Sequence, residues 1–164
     1  MKGPEPRSRA VSASIDILSR SAPAIFQGSD DEHRMEWLGV GLQVAFAERL
    51  RQDLAGYRDA EPAGRHHHAG VTLQLTEGAM HLANEAGCFW LLDQVCAAQA
   101  DPAVRRLPVQ IWTLGVSRDR SAALACGDGR GRVLHDRAIA WTDFPLTAVA
   151  LRVEAGLVAL RSER

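Results

Sequence analysis

Three consecutive histidines, His66-His67-His68, with His33 upstream, are the first residues whose type invites chemistry. Imidazole is a good zinc ligand, but zinc sites usually space their ligands by about two to five residues. Adjacent histidines within RDAEPAGRHHHAG (58–70) read instead as an exposed basic loop, and no metal is expected there. Asp93 is the second candidate. It follows Trp90 by one turn on an otherwise apolar stretch, where an ionised carboxylate needs a partner or water. It marks either a polar cleft or a structural carboxylate bonded to backbone N–H groups or an arginine. The structural role is the simpler one, because structural networks perturb carboxylates too. Asp143, in WTDFPL, reads similarly. An Asp at that place accepts backbone bonds in a turn, Phe144 plugs the core and Pro145 fixes the exit.

Other patterns are weaker. GDGRG (127–131) has the glycines of a phosphate loop, but it joins two strands, whereas a phosphate cradle runs from a strand into a helix. No GxSxG, HExxH or Walker pattern occurs. Cys126 faces His135 across a hairpin, a hint of a thiol–imidazole pair beside the plainer reading of a core thiol. Cys88, Cys96 and Cys126 are odd in number and sit among apolar residues, which predicts reduced, buried thiols and a cytoplasmic protein. Arg118 and Arg120 fall in one hairpin turn and Arg130 and Arg132 in the next. Successive turns lie at opposite ends of a sheet, so these arginines form two small clusters without interleaved aromatics, poor support for nucleic-acid binding.

These residues must be positioned by a chain of 164 residues and net charge −1, enough for one domain with a sizeable core. Residues 1–100 carry nine basic against thirteen acidic residues, and 101–137 seven against four, so the sheet region is mildly basic. No run of about 18 apolar residues suggests a membrane span. Residues 1–9 are expected to be a flexible tail and 10–164 a single domain. A short helix is expected near 10–20, a loop over 21–29 and a second helix from about Asp30 to Tyr57. Gly39 and Gly41 weaken that second helix. VTLQL (71–75) reads as a short strand. Leu75 to Ala98 then reads as one long central helix, capped by Thr76, with Glu77 in its first turn, small residues Ala86 and Gly87 that would let another backbone come close, and Asp101-Pro102 at its end.

After Pro108 the apolar period changes from 3.6 to 2. VQIWTLGV (109–116), SAALACG (121–127), RVLHDRAIAW (132–141), TAVALRVEAG (147–156) and LVALR (157–161) read as strands. Short turns between consecutive strands imply an antiparallel meander. The expected fold is therefore α+β: a meander of four to five strands packed on a long central helix, with one or two N-terminal helices.

TEGAMHLANEAGCFWLLDQV, VQIWTL, DRSAALAC and AIAWTDFPL together resemble a family of small bacterial proteins of unknown activity, often carried by phages, plasmids and other mobile elements. Its members show a T-D-G…G-A-x-W-L-L-D helix and a T-D-F-P-L motif. Thr76, Gly78, Ala83, Gly87, Trp90, Leu91, Leu92 and Asp93 match the first, with Glu77 for the usual Asp and Cys88 for the usual Ala. Thr142 to Leu146 match the second, and FQGSD (26–30) is similar to a short motif near the family's start. The likeness covers 71–160 well and 37–70 poorly, which makes 37–70 look like an insertion. It implies a compact helix-and-sheet domain and no established activity.

With no catalytic constellation, no cofactor and no catalytic residue is expected. The function expected is a non-catalytic protein-binding module that acts by docking or self-association as a homodimer, with Trp37, Leu38 and Phe46 at the interface. A specific version, resting on the resemblance, is a mobile-element inhibitor of a host defence complex of the CRISPR type. A second expectation is an enzyme or small-molecule-binding protein with a helix–sheet pocket lined by Trp90, Asp93, Trp112 and His135. A third is nucleic-acid binding through Arg118, Arg120, Arg130 and Arg132.

Overall fold

The computed structural model describes residues 30–164, with side chains from Glu36 onward. The tail, short helix and loop expected over 1–29 lie outside these residues. The chain divides into two compact units, 1–42 and 43–164. Helix α1, Asp30–Gly56, begins in the first and ends in the second.

The second unit continues through β1 (Pro62–His68), β2 (Val71–Thr76), α2 (Glu77–Glu85), α3 (Phe89–Ala98) and α4 (Pro102–Arg105), then β3 (Val109–Val116), β4 (Ala122–Gly127), β5 (Val133–Ile139), β6 (Ala148–Glu154) and β7 (Leu157–Leu160). The fold is α+β, but seven strands form the sheet, not four to five, in the order β1-β2-β7-β6-β3-β4-β5. VTLQL, read as a strand, enters the sheet as β2, and one further strand was hidden by composition. The histidine stretch is a strand, paired with β2 from His68↔Val71 outward. Ala69 and Gly70, at φ 50° and 77°, close that hairpin as a two-residue turn of the kind that matches strand twist. The parallel pairing of β2 with β7 then joins this hairpin to the rest.

Nor is the C-terminal part a simple meander. β3, β4 and β5 pair in succession, but β6 returns to lie beside β3. The order β6-β3-β4-β5 is that of a Greek key. Its long connection is the WTDFPL segment. Arg120 holds that segment down: its Nε donates to Thr142 O at 2.9 Å and its Nη2 to Phe144 O at 2.9 Å. Phe144 fills the core, fully buried as expected.

The long central helix is two helices. Thr76 caps the first through Ala79 N–H at 3.2 Å, as expected. Gly87 ends it in the left-handed region at φ 60°. Cys88 N–H reaches back to Ala83 O at 3.1 Å and Gly87 N–H to Asn84 O at 3.4 Å, the paired bonds of a Schellman stop. Glycine at this place terminates a helix; its small size is not spent on a close crossing. The chain then restarts as α3, whose Leu91, Leu92, Val95 and Cys96 are buried against Trp112, Leu114, Leu124, Leu151 and Val158 of the sheet.

Two adjacent residues of α3 reach opposite edges of the sheet. Asp93 bonds His66 on β1, and Gln94 accepts from Arg137 on β5. Laid flat, seven strands about 4.8 Å apart would hold β1 and β5 roughly 29 Å apart. A helix with its side chains is only about 10–12 Å across. The sheet must therefore curl around α3, which fastens both of its edges.

Candidate functional site

The densest group of ionisable side chains lies where α3 meets β1. Alternation along β1 turns His66 and His68 to the same face, while His67 points to the other and bonds Thr72 Oγ1 at 2.8 Å. His66 Nε2 lies 2.7 Å from Asp93 Oδ1, and His68 Nδ1 lies 3.2 Å from the same oxygen. For both to donate, His66 must carry its proton on Nε2 and His68 on Nδ1. Phe89, one turn before Asp93, stacks on the His66 ring with centroids 5.9 Å apart. Asp93 is thus held by imidazoles, not by the backbone N–H groups or arginine expected of it. The histidines belong to a strand, not to a free loop.

The chemistry available to this group is limited. Both imidazoles converge on one oxygen, so the carboxylate fills the place a cation would take. Among the described residues no three His, Cys, Asp or Glu side chains are arranged to hold a metal ion. The neighbouring nucleophile would be Cys96, but it is fully buried. Burial raises its thiol, the Asp93 charge raises it further, and the His68 backbone N–H offsets this only in part. A thiol kept protonated is a poor nucleophile. Cys88 and Cys126 are pushed up to about 12 and about 11, in both cases chiefly by burial.

The other residues of the expected helix–sheet pocket separate into different surroundings. Trp112 is buried and donates its indole N–H to Gln110 Oε1 at 3.0 Å. Gln110 and Gln99 exchange two amide bonds of 2.9 Å, and their remaining N–H groups go to Val104 O and Val95 O. Those amides have no donor left for a ligand. The His135 ring lies 5.7 Å from Trp112, tilted against it. Trp90 packs half-buried on the core. The structure therefore joins Trp112 to His135, and Asp93 to the β1 histidines.

The two arginine clusters are also accounted for in part. Arg120 is the clamp on WTDFPL. At the next turn Asp128 accepts the backbone N–H of Arg130 at 2.8 Å and of Arg132 at 3.3 Å, and these bonds, led by that of Arg130, hold its carboxyl below the usual range. Asp143 does not cap its turn as expected. Thr142 does so, accepting Phe144 N–H at 3.1 Å, while Asp143 is exposed beside Trp141 at the rim of a cleft of about 530 Å³ that also includes Phe46, Ala86 and Pro145.

Two sites were not anticipated. Glu163 is buried, and its carboxylate accepts Thr76 Oγ1–H at 2.7 Å, Leu160 N–H at 2.6 Å and Gly78 N–H at 3.2 Å. A Cβ on Gly78 would come within 2.8 Å of that carboxylate, so the Thr-Glu-Gly start of α2 is shaped to receive it. His81 is the second. Its Nε2 is buried without a hydrogen bond, 3.8 Å from Asp53 Oδ2, in a cleft shared with Tyr57, Asp59 and Glu77. No spacing in the sequence links residues this far apart.

Among the described residues α1 carries most of the exposed large apolar side chains: Trp37, Leu38, Val40, Leu42, Val44 and Phe46 are exposed, as are Phe89, Val133 and Trp141 elsewhere, whereas Leu50 and Leu54 of α1 are buried. At about 100° per residue, Leu38, Leu42 and Phe46 form one stripe and Trp37, Val40 and Val44 another on nearly the opposite side. Among the described residues no helix is long and apolar enough to cross a membrane.

A family model described as a family of unknown function (DUF6876) matches residues 48–164, from within α1 to the last residue. The matched span includes β1 and its histidines. No curated protein and no solved structure matches the chain.

Proposed function

We propose, for a chain that belongs to this family of unknown function (DUF6876), a non-catalytic role: a protein-binding module that docks through α1. The observation that carries the reading is the pair of exposed apolar stripes on α1. Six large apolar side chains in water on three turns of one helix are a surface that binding would cover. A helix apolar on two sides needs more than one neighbour. The arrangement around Asp93 adds support from the other direction, since its polar groups bond one another and the nearby thiols stay protonated.

Work in the cytoplasm is supported by three free, buried cysteines. The narrower reading, a mobile-element inhibitor of a CRISPR-type defence complex, is supported by the motif resemblance alone. A second reading, a small-molecule or catalytic site at Asp93, is favoured only by the His66–Asp93–His68 group.

Affinity capture with the wild-type chain and with a Leu38→Glu/Leu42→Glu variant tests the docking reading. The wild type should retain a defined partner or a second copy. The variant should lose it at unchanged circular dichroism. Identical retention by both chains would rule out docking through α1.

A further inference from the structure

We infer that the molecule holds a binding site separate from α1: a cleft at one end of the helix–sheet layer that takes a small organic anion, its apolar body inward and its charged head between Arg105 and Arg106. The starts of β2 and β3 and the end of β6 fall at the same end of the sheet. From the inner face there, Val71 and Leu73 of β2, Gln110 of β3 and Val153 of β6 line one side of the cleft. The last residue of α4 and the segment after it, Arg105 to Pro108, line the other, and the Ala155-Gly156 turn forms the rim. The cavity measures about 490 Å³. Small-molecule sites usually enclose about 300–1,000 Å³.

The two ends of the cleft differ in chemistry. Its floor is apolar: Leu73 and Val153 are buried, with Val71 and Leu107 half-buried beside them. Gln99 and Gln110 also reach it, but their amide hydrogens go to each other and to Val95 O and Val104 O, so they offer a ligand no donor. The guanidiniums of Arg105 and Arg106 are exposed and uncommitted. Among the described residues no carboxylate lies within 4 Å of either, the ion pairs being those of Arg49, Arg51, Arg152 and three histidines. The nearby acids are engaged elsewhere: Asp101 accepts Ala103 N–H at 2.8 Å, and Glu154 pairs with Arg152 at 3.1 Å. Two unpaired cations beside an apolar floor fit a molecule with the same division, an oxyanion head on an apolar body. Because exposed charges are screened, the head alone binds weakly. The body supplies most of the affinity, and the head sets the orientation.

Calorimetric titration of the full chain with acetate, hexanoate, octanoate, octyl phosphate and octanol tests this. Octanoate should bind once per chain and about 15-fold more tightly than hexanoate, since each buried methylene is worth about fourfold. Acetate, which is nearly all head, and octanol, which has no charge, should each bind at least about tenfold more weakly than octanoate. Arg105→Gln/Arg106→Gln should lose at least about tenfold in octanoate affinity at unchanged circular dichroism, because both side chains are exposed. Whichever of octanoate and octyl phosphate binds more tightly identifies the head as carboxylate or phosphate, and either result supports the site. Octanol bound as tightly as octanoate, or octanoate indifferent to the double substitution, would overturn it. So would the absence of binding by every ligand in the series, including the case where a nucleic acid or acidic protein is retained by the wild type and lost in the double variant. Leu38→Glu/Leu42→Glu should bind octanoate as the wild type does, so this site and docking through α1 fail or stand separately.

Discussion

Trp112, in the middle of the sheet, is 1 % exposed with its indole N–H bonded, while Trp37, on the first half of α1, is 75 % exposed. The same side-chain type meets opposite fates in two regions of one chain. Around Trp112 the strands β2, β3, β4, β6 and β7 bring apolar residues to a shared core, and the polar atoms nearby are paired with one another. Along α1 the apolar residues are as large, yet among the described ones only Leu50 and Leu54 near its end are buried. Burial of a large apolar side chain is worth about 1.5–3 kcal/mol. The sheet has realised that gain within one chain. On α1 that gain is unrealised among the described residues, and this difference is the ground for the proposal that docks a partner on the helix.

Trp112→Ala and Trp37→Ala would sharpen the comparison most. Loss of Trp112 should cost about 3–5 kcal/mol, because it opens a cavity and removes the donor bonded to Gln110. Loss of Trp37 from the dissociated chain should change stability by less than about 0.5 kcal/mol, as surface substitutions do. Urea unfolding of both variants at low protein concentration reads the contrast. Similar costs would mean that Trp37 already has an intrachain role, and the division between the two regions would fall.

The next effect probes how the sheet region is closed. Glu163→Ala leaves the Thr76 hydroxyl and the N–H groups of Gly78 and Leu160 without their acceptor. At about 1 kcal/mol or more for each buried donor, the expected loss is roughly 3 kcal/mol. Glu163→Gln keeps the shape but turns an N–H₂ group toward one of those donors, and should fall between the variant and the wild type. A neutral Glu163→Ala in thermal melting would show that the carboxylate is not what fastens the C-terminal residues to α2.

The fold was legible wherever periodicity and turn residues agreed. β3 to β7 follow from alternation after Pro108, and the α1 range follows from the helical spacing of its apolar residues. The start of α2 was legible too, because Thr76 caps as its type demands. Its end was not, although Gly87 carried the signal: read as a small residue for close packing, it is a left-handed helix stop. The same Ala-Gly dipeptide closes two hairpins, at 69–70 and 155–156. It was recognised only in the second, because VEAGLV is flanked by β-forming residues and HHHAGV is not. β1 is a strand through its pairing with β2, a tertiary cause that PAGRHHH does not display. The Greek-key return of β6 to β3 was invisible for a similar reason. Arg120 makes that connection hold through two carbonyls more than twenty residues away. Of the residues proposed for a site, Trp37, Leu38 and Phe46 were legible as apolar positions on a helix, while the partners of Asp93 depended on the curl of the sheet.

A third contrast concerns pH. Cys88 and Cys126 ionise in the unfolded chain near 9.0 but in the folded protein near 12 and 11. Between these values the unfolded chain has released protons that the folded protein retains, so stability falls as pH rises. Below 9.0 both states hold them and the thiols add no pH dependence. Each thiol should contribute a slope of about 1.4 kcal/mol per pH unit within its window. Denaturation midpoints from pH 8 to 10.5 measure this, and Cys88→Ala should reduce the slope. An engineered cysteine on α1 should react with thiol reagents at ordinary rates while the native three stay silent until unfolding.

The smallest effect expected is also the one that most directly separates the two regions as candidates for function. Asp93→Asn removes the charge on which His66 and His68 converge. Asp93 is a third exposed, so solvent already screens the interaction and the cost should be about 1 kcal/mol. The loss should be local. Amide exchange should quicken along β1, whose attachment to α3 weakens, while β3 and β6 keep their protection, since their bonds and core contacts are untouched. Capture of a partner through α1 should be unchanged. If Asp93→Asn instead left β1 protection intact and abolished binding or an activity, the carboxylate would be a working group and not a fastening. Function would then belong to the seam between α3 and β1, and the exposed stripes of α1 would need a different explanation.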